Sequence, residues 1–362
     1  MIWLVDTGDA RIKLGYNYAI RGIAAIAPTD GKYKPAGVDV TLENVNYFAL
    51  HGSADGDVQS FHASRVYHRA KFTGDDDHFA STLYIHDANH GQFNTGWGRF
   101  DGERGIGERL LNYAQIMPGA DQRRIATVYL SAYLETILHD QTGYLPLFRD
   151  FRVAREWLPD TIYLQQFRDS RHKMVATYEE DIDVTTTTLA GGKSDGRGLR
   201  DWKEREIKLK LDNTDTRAVF LGWEHNESGS ASSYTISLPQ TNLGLNGTSS
   251  LIFSLTDGGA ANEMNKEPID FTIELIDASG ESASLPLHTV GRVQRQIESH
   301  IMKFDWLAKT KRFEPLFQSF EFALAAFAVA NPKLKLETLR SVRFVFDQTK
   351  KGLVILDDVG FH

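Results

Sequence analysis

Three short apolar runs lie in the first quarter of the chain, separated by polar stretches. They cover 20–27, 45–50 and 81–86, and the first is stopped by Pro28. Continuous apolar runs of this length are typical of strands buried on both faces of a parallel sheet. The segment 59–70, between the second and third runs, carries helical spacing. We therefore predict three parallel strands joined by crossovers, forming part of a doubly wound α/β sheet.

A long amphipathic helix is predicted further along the chain, over 121–139. Its apolar residues recur at intervals of three and four, which places them on one face. They are Ile125, Val128, Tyr129, Ala132, Tyr133 and Ile137. Asp121 is the expected N-cap, because Pro118 and Gly119 do not belong in a helix interior. We expect this apolar face to pack against the sheet.

From about Lys173 the pattern changes to short alternating runs between turn residues. Period-two alternation at this spacing predicts a β-sandwich or jelly roll. The predicted strands are 206–211, 217–223, 234–238, 251–255, 269–276, 282–287, 317–324, 342–346 and 353–359, with one short helix at 336–340. The predicted fold class is thus α/β plus all-β. A partial doubly wound sheet occupies 1–142, a bridging segment 143–172, and a β-sandwich 173–362.

Composition excludes several classes of function. The 362 residues carry a net charge of −8, which argues against a nucleic-acid or anionic-membrane surface. The chain has no cysteine, so disulfides, thiolate metal sites and a cysteine nucleophile are excluded. No run reaches the roughly 18 apolar residues of a membrane span. Residues 1–14 do not resemble a signal peptide. These observations leave the localisation open. A signal peptide upstream of Met1 would imply secretion or a periplasmic location, and without such a peptide we expect a cytoplasmic location.

Polar residues follow the second and third strands directly. Asp55 follows the second strand, with Asp57 as the alternative acid. His86 lies within the third strand, whereas His90 lies on the loop after it. Because the carboxyl ends of neighbouring parallel strands meet at one edge of a sheet, where α/β proteins bind ligands, Asp55 and His90 are the candidate catalytic residues. A turn rich in Asp and Gly, and an ordinary polar loop, are the structural alternatives.

This order of acid and histidine resembles the carboxyl-terminal part of the α/β-hydrolase family, from about Ile20 to Asp140. The segment Gly52-Ser53-Ala54-Asp55-Gly56-Asp57-Val58 matches the Gly-x-x-Asp-x-x-Val pattern that follows the seventh strand of that family. The resemblance implies a serine-type carboxylic-ester hydrolase. In such an enzyme Asp55 would orient His90 and stabilise its imidazolium. Asn89, Gln92 and Asn94 would orient the ring, contact substrate or simply pack the loop.

The resemblance also implies a nucleophilic serine on a strand-turn-helix elbow upstream of the acid. The segment 192–196, Gly-Lys-Ser-Asp-Gly, fits the elbow pattern literally, but Ser194 lies within the predicted sandwich. Ser53 is too close to Asp55 along one turn. The nucleophile is therefore missing, and we expect the chain alone to be inactive while its complete form is a hydrolase. The alternative is a non-catalytic remnant that binds a carbohydrate or a protein.

The second half resembles galactose-binding-like jelly rolls, a fold shared by many carbohydrate-binding modules. The resemblance rests on 178–181, Tyr-Glu-Glu-Asp, and on the closing run 354–361. It implies a structural Ca²⁺ held by Glu179, Asp357 and Asp358, with no other cofactor. The same acids would otherwise act as edge-strand charges. A glycan surface would require exposed aromatic residues, and the candidates are Trp202, Trp223, Trp306, Tyr234 and Phe313.

The expected partners are a small ester substrate or a glycan, without nucleic acid or a membrane span. In a hydrolase sheet the strand at 20–27 would have a neighbour on each side. Without one of them, its apolar edge is a template for another chain. We predict self-association through 20–27, or cover of this edge by residues 1–14.

Overall fold

The computed structural model describes residues 20–31, 37–39, 41–74, 76–101, 107–225, 230–239, 243–259, 268–307 and 312–362. The chain divides into two compact units. Unit 1 comprises Met1–Ser170, Lys208–Thr214 and Ile297–Glu314. Unit 2 comprises Arg171–Ile207, Asp215–Gln296 and Pro315–His362. Residues 1–14, the predicted cover for the first strand, lie outside the described residues.

Unit 1 contains a four-stranded sheet. Its strands, in spatial order, are β1 (Gly22–Ile26), β2 (Asn46–Gly52), β3 (Phe79–Ile85) and β4 (Tyr163–Asp169). The first three are parallel, as their apolar runs predicted, and β4 is antiparallel to β3. Strand β4 lies within the residues assigned above to the bridging segment. The parallel order places the carboxyl ends of β2 and β3 side by side.

The α-helices in the described residues of unit 1 are α1 (Ala63–Arg69), α2 (Gly119–Leu138) and α3 (Leu145–Arg149). Helix α2 begins two residues before the predicted start, and Pro118 rather than Asp121 is its N-cap. Asp121 instead lies in the first turn, where its charge complements the positive end of the helix dipole. The predicted apolar face packs on β2 and β3 in one buried cluster. Among the described residues, no helix is long and apolar enough to cross a bilayer.

Unit 2 is a β-sandwich. Its strands are β5 (Lys173–Ala176), β6 (Lys193–Arg197), β7 (Asp201–Lys208), β8 (Asn213–Glu224), β9 (Ser232–Ser237), β10 (Ser250–Asp257), β11 (Thr272–Asp277), β12 (Ser282–Pro286), β13 (Gln318–Ala323), β14 (Leu339–Phe346) and β15 (Lys351–Phe361). One sheet has the order β13-β10-β15-β8-β7, with β5 also paired to β15. The other has the order β12-β11-β14-β9-β6. This confirms the β-sandwich predicted from the alternating runs.

A large aromatic core fills the sandwich. Trp223, Tyr234, Phe253, Phe271 and Phe344 belong to one buried cluster drawn from both sheets. In the part of the sandwich that the structure describes, one α-helix, α4 (Leu324–Ala330), directly follows β13. The helix predicted at 336–340 is wrong: 336–338 form one 3₁₀ turn and β14 begins at once. Local helical propensity there yields to the pairing of β14 with β9 and β11.

Candidate functional site

The structure brings Asp55 and His90 together at the carboxyl ends of β2 and β3. The two strand ends approach very closely, because a Cβ on Gly52 would lie 2.3 Å from the carbonyl oxygen of Ala88. The loops that follow are joined by backbone hydrogen bonds, including that from the N–H of Ala54 to Ala88. As a result, Nδ1 of His90 lies 2.9 Å from Oδ2 of Asp55. An ionised carboxylate only accepts, so Nδ1–H is the donor.

Asp55 is almost completely enclosed, with 1% of its surface exposed. Its second oxygen, Oδ1, accepts the N–H groups of Asp57 at 3.0 Å and Val58 at 2.6 Å. Burial raises the pKa of Asp55 above its usual value, while the hydrogen bonds from His90 and the backbone oppose that rise. The carboxylate therefore has a partner on each oxygen, which holds it in one orientation toward the imidazole.

The imidazole of His90 is partly accessible, with 17% of the side chain exposed. Its hydrogen bond to Asp55 is the main cause that raises the pKa of His90 above its ordinary value. Trp97 stacks on the ring, with centroids 5.6 Å apart and planes 14° apart. The exposed carboxylate of Asp57 lies 3.8 Å from Nε2 of His90. The hydrogen bond to Asp55 therefore fixes Nδ1, while the exposed carboxylate of Asp57 is the acidic neighbour of Nε2.

The remaining polar residues of the histidine loop pack the loop itself. Asn89 exchanges hydrogen bonds with Gln122 of α2: its N–H donates to the Gln122 side chain, and that side chain donates to its carbonyl. Gln92 donates to the carbonyl of Met117 at 2.8 Å. Asn94 accepts the N–H of Trp97 and so fixes the start of the turn that carries the indole. Loop packing, one of the alternatives left by the sequence, describes these contacts.

His86 and the two serines considered as nucleophiles do not contact the pair formed by Asp55 and His90 in the way a triad requires. His86 follows β3 and contacts Asp87, at 3.2 Å. Ser53 is buried, and its hydroxyl accepts the N–H of Asp87. Ser194 lies within β6 of the sandwich and donates to the carbonyl of Val184. Neither serine is on a strand-turn-helix elbow.

Asp101, which contacts both loops of the site, was not predicted from the sequence. Its carboxylate accepts the N–H of Gly56 and of Gly91, each at 2.7 Å, and the side-chain amide of Asn89 at 2.5 Å. Gln122 was also missed, although a signal for it exists. It lies three and four residues before Ile125 and Ala126, so it is a polar residue at a core position of the helix.

The acids predicted to hold calcium are divided between other contacts. Glu179 accepts the N–H of Arg217 at 2.6 Å, and burial raises its pKa, with Asp358 adding to that rise. Asp357 is buried and accepts the N–H of Asp358. In the described parts of the chain, Glu179 belongs to no group of three ligand-type side chains with atoms within 4.8 Å of one another. A calcium site at these residues stays a prediction.

The five-stranded sheet of the sandwich carries a polar groove of about 550 Å³ on its outer face. Cross-strand pairing explains its floor, because Glu274 pairs with Ser284 on one side and Arg343 on the other. The guanidinium of Arg343 lies 2.9 Å from Glu274. The lining residues are Ala231, Ser233, Thr272, Glu274, Ser284, Pro286, Arg343, Val345 and Asp347.

Of the aromatic residues predicted to form a glycan platform, two belong to the core. Trp223 and Tyr234 are fully buried. Trp202 is partly buried and packs against the same core. Phe313 is half-buried, and Trp306 is exposed in unit 1 rather than in the sandwich. The predicted platform is therefore not formed by these residues as a set.

No family model matches the chain, and no curated protein matches it significantly. Solved structures of similar shape include a family 30 carbohydrate-binding module, with 11% identity and a TM-score of 0.35 over 52% of this chain and 99% of that one. The family 11 module of cellulosomal cellulase Lic26A-Cel5E of Clostridium thermocellum has 11% identity and a TM-score of 0.32 over 52% and 93%. An exo-β-agarase has 12% identity and a TM-score of 0.32 over 52% and 24%. Scores this low assign no function to the chain, and these neighbours give no support to the hydrolase resemblance of 20–140.

Proposed function

We propose that unit 1 carries the acid and the histidine of a serine-type carboxylic-ester hydrolase site. The single observation behind this proposal is the 2.9 Å hydrogen bond between buried Asp55 and His90, at the carboxyl ends of adjacent parallel strands. The acid precedes the histidine along the chain, as it does in α/β-hydrolases. This hydrogen bond supports the proposal, because an acid and a histidine of such a site would have to be in contact.

The pair has the properties that such a site requires. Asp55 holds the Nδ1–H tautomer of His90, which leaves Nε2 free to accept a proton from a nucleophile. The same carboxylate stabilises the imidazolium that this transfer creates, consistent with the raised pKa of His90. Trp97 covers one face of the ring and fixes its plane. The pair would act as general base in acylation and as general acid when the leaving group departs.

The test of this proposal detects the nucleophilic serine that such a site requires. The product of the whole gene, read from its own start codon, should be treated with a fluorophosphonate probe that labels activated serines. We expect one labelled serine, with labelling lost in His90→Ala and retained in Asp57→Asn. The chain 1–362 alone should stay unlabelled, because Ser53 is buried and Ser194 lies in a sandwich strand. Absence of labelling in the whole gene product, or labelling that survives His90→Ala, would contradict the proposal.

A second candidate function, carbohydrate binding, is favoured by the polar groove on the five-stranded sheet. Sugar hydroxyls both donate and accept hydrogen bonds, and the groove offers carboxylates, a guanidinium and hydroxyls beside the apolar surfaces of Val345 and Pro286. The groove lacks aromatic side chains among its lining residues, so stacking would contribute little. Binding would depend on hydrogen bonds that Arg343 donates to the sugar and that Glu274 and Asp347 accept from it.

Affinity electrophoresis in gels containing soluble polysaccharides tests this second function. We expect retardation of the wild type in at least one polysaccharide, and its loss in Arg343→Ala. Arg340→Ala is the matched control, because Arg340 lies on the same strand and does not line the groove. Equal migration of the wild type with and without every polysaccharide would count against glycan binding. Equal loss of retardation in both variants would show that the groove is not the site.

A further inference from the structure

The carboxylate of Asp101 connects the two loops that carry the candidate catalytic pair. Oδ2 accepts the N–H of Gly56, the residue directly after Asp55. Oδ1 accepts the N–H of Gly91, the residue directly after His90. The side-chain amide of Asn89, directly before His90, donates to the same Oδ1. One carboxylate thus binds the backbone or side chain of the immediate neighbours of both catalytic candidates.

This arrangement is tight on both sides. A Cβ on Gly56 would lie 3.0 Å from Oδ2 of Asp101, and one on Gly91 would lie 2.3 Å from the carbonyl oxygen of Gly98. Asp101 itself is 6% exposed and has a left-handed backbone, with φ of 48°. Burial raises its pKa to about 6, while the backbone donors favour the ionised form. A buried carboxylate in a strained conformation persists only where surrounding contacts over-determine it.

We propose that Asp101 is the positioning residue that fixes the separation of Asp55 and His90. Asp101 acts through the two loops and not on the substrate. By accepting the backbone N–H next to each residue, it sets the distance between the loops. A displacement of about 1 Å is enough to lower catalysis about a hundredfold. The inference rests on the proposed function for its catalytic meaning. Its structural content concerns only the hydrogen bond between Asp55 and His90.

Nuclear magnetic resonance of the ¹⁵N-histidine-labelled chain 1–362 tests that hydrogen bond directly. We expect the Nδ1–H proton of His90 to exchange slowly with solvent in the wild type and at least about tenfold faster in Asp101→Asn. Asn cannot offer two carboxylate oxygens, so one of the loops loses its acceptor. Gly56→Ala keeps every charge and crowds Oδ2, and we expect it to accelerate exchange as well.

Asp195→Asn is the control, since it removes an exposed carboxylate from β6 of the sandwich and leaves the residues of both loops unchanged. It should leave the exchange rate of Nδ1–H unchanged, and far-UV circular dichroism should show all variants folded. Equal exchange rates in wild type, Asp101→Asn and Gly56→Ala would overturn the positioning role. Because no ester is involved, this result is independent of the probe labelling that tests the hydrolase proposal.

Discussion

At the scale of single residues, the candidate site depends on the 2.9 Å hydrogen bond between Asp55 and His90. Asp55 and His90 follow strand ends, and strand ends are visible as the limits of apolar runs. Asp101 has no comparable signal, because its role depends on the distances between its oxygens and two backbone N–H groups in loops 45 and 10 residues away. Glu314 contacts the N–H of Phe61 across 253 residues, so its role is equally invisible in the sequence.

The raised pKa of His90 predicts how stability depends on pH. A histidine whose folded pKa lies above its unfolded value, about 6.5, stabilises the protein fully below that value. This contribution is lost as pH rises through the folded pKa. The charged groups facing the ring are Asp55, Asp57 and Asp101. In urea unfolding, the stability advantage of the wild type over His90→Gln should therefore shrink from pH 6.5 upward. An advantage that grows over this range would contradict the assignment.

At the scale of elements, unit 1 includes two segments that the sequence placed in the sandwich. Residues 208–214 comprise the turn between β7 and β8 together with the adjoining ends of both strands, and 297–314 come after the strand pair β11–β12. They bind the residues that follow Asp55: Ser60 accepts the N–H of Leu211 at 2.9 Å, and Glu314 accepts the N–H of Phe61 at 3.2 Å. The alternation of apolar and polar residues predicts strands, but it does not show to which compact unit the turn between two strands belongs.

Glu314 should therefore be important for the stability of unit 1. Its side chain is fully buried, accepts the N–H of Lys210 and lies 3.7 Å from the ammonium of that residue. Removing one partner of a buried pair leaves the other charge uncompensated, and we expect Glu314→Ala to cost about 3–5 kcal/mol in urea unfolding. The exposed pair Arg197–Asp195 is the control, and Asp195→Ala should cost less than about 1 kcal/mol. Equal costs would contradict this account.

Strand β1 carries the prediction of self-association. In the part of the chain that the structure describes, β1 pairs only with β2, and Ile26 is 38% exposed. An unpaired apolar edge is a template for a second chain. We expect concentration-dependent light scattering by the wild type, with the dissociation constant at least about tenfold higher in Ile26→Lys.

Ile26 is chosen over Ile23 of the same strand, because Ile23 is only 4% exposed and a lysine there would disturb the core. Val329→Lys is the control, since it adds the same charge at an exposed apolar position of α4. A wild type that stays monomeric at every concentration would refute association through β1.

At the scale of the molecule, the change to alternating runs near Lys173 predicted the sandwich, and the first boundary between the units falls between Ser170 and Arg171. The sandwich has a complete strand set, so 173–362 expressed alone should fold and unfold cooperatively. Its segments 208–214 and 297–314 would lack their contacts in unit 1, and limited proteolysis should cut them first. A disordered fragment in circular dichroism would show that the sandwich is not an independent folding unit.

Ester turnover by the whole gene product tests the central claim most directly. Assayed on a short p-nitrophenyl ester, the wild type should turn over substrate and His90→Ala should not. Asp55→Asn should lose about 10⁴-fold in kcat, because the imidazole would no longer be held in the required tautomer. Asp57→Asn should remain close to the wild type. Turnover that persists in His90→Ala and Asp55→Asn, or no turnover by the wild type, would contradict the assignment of this pair to a hydrolytic site.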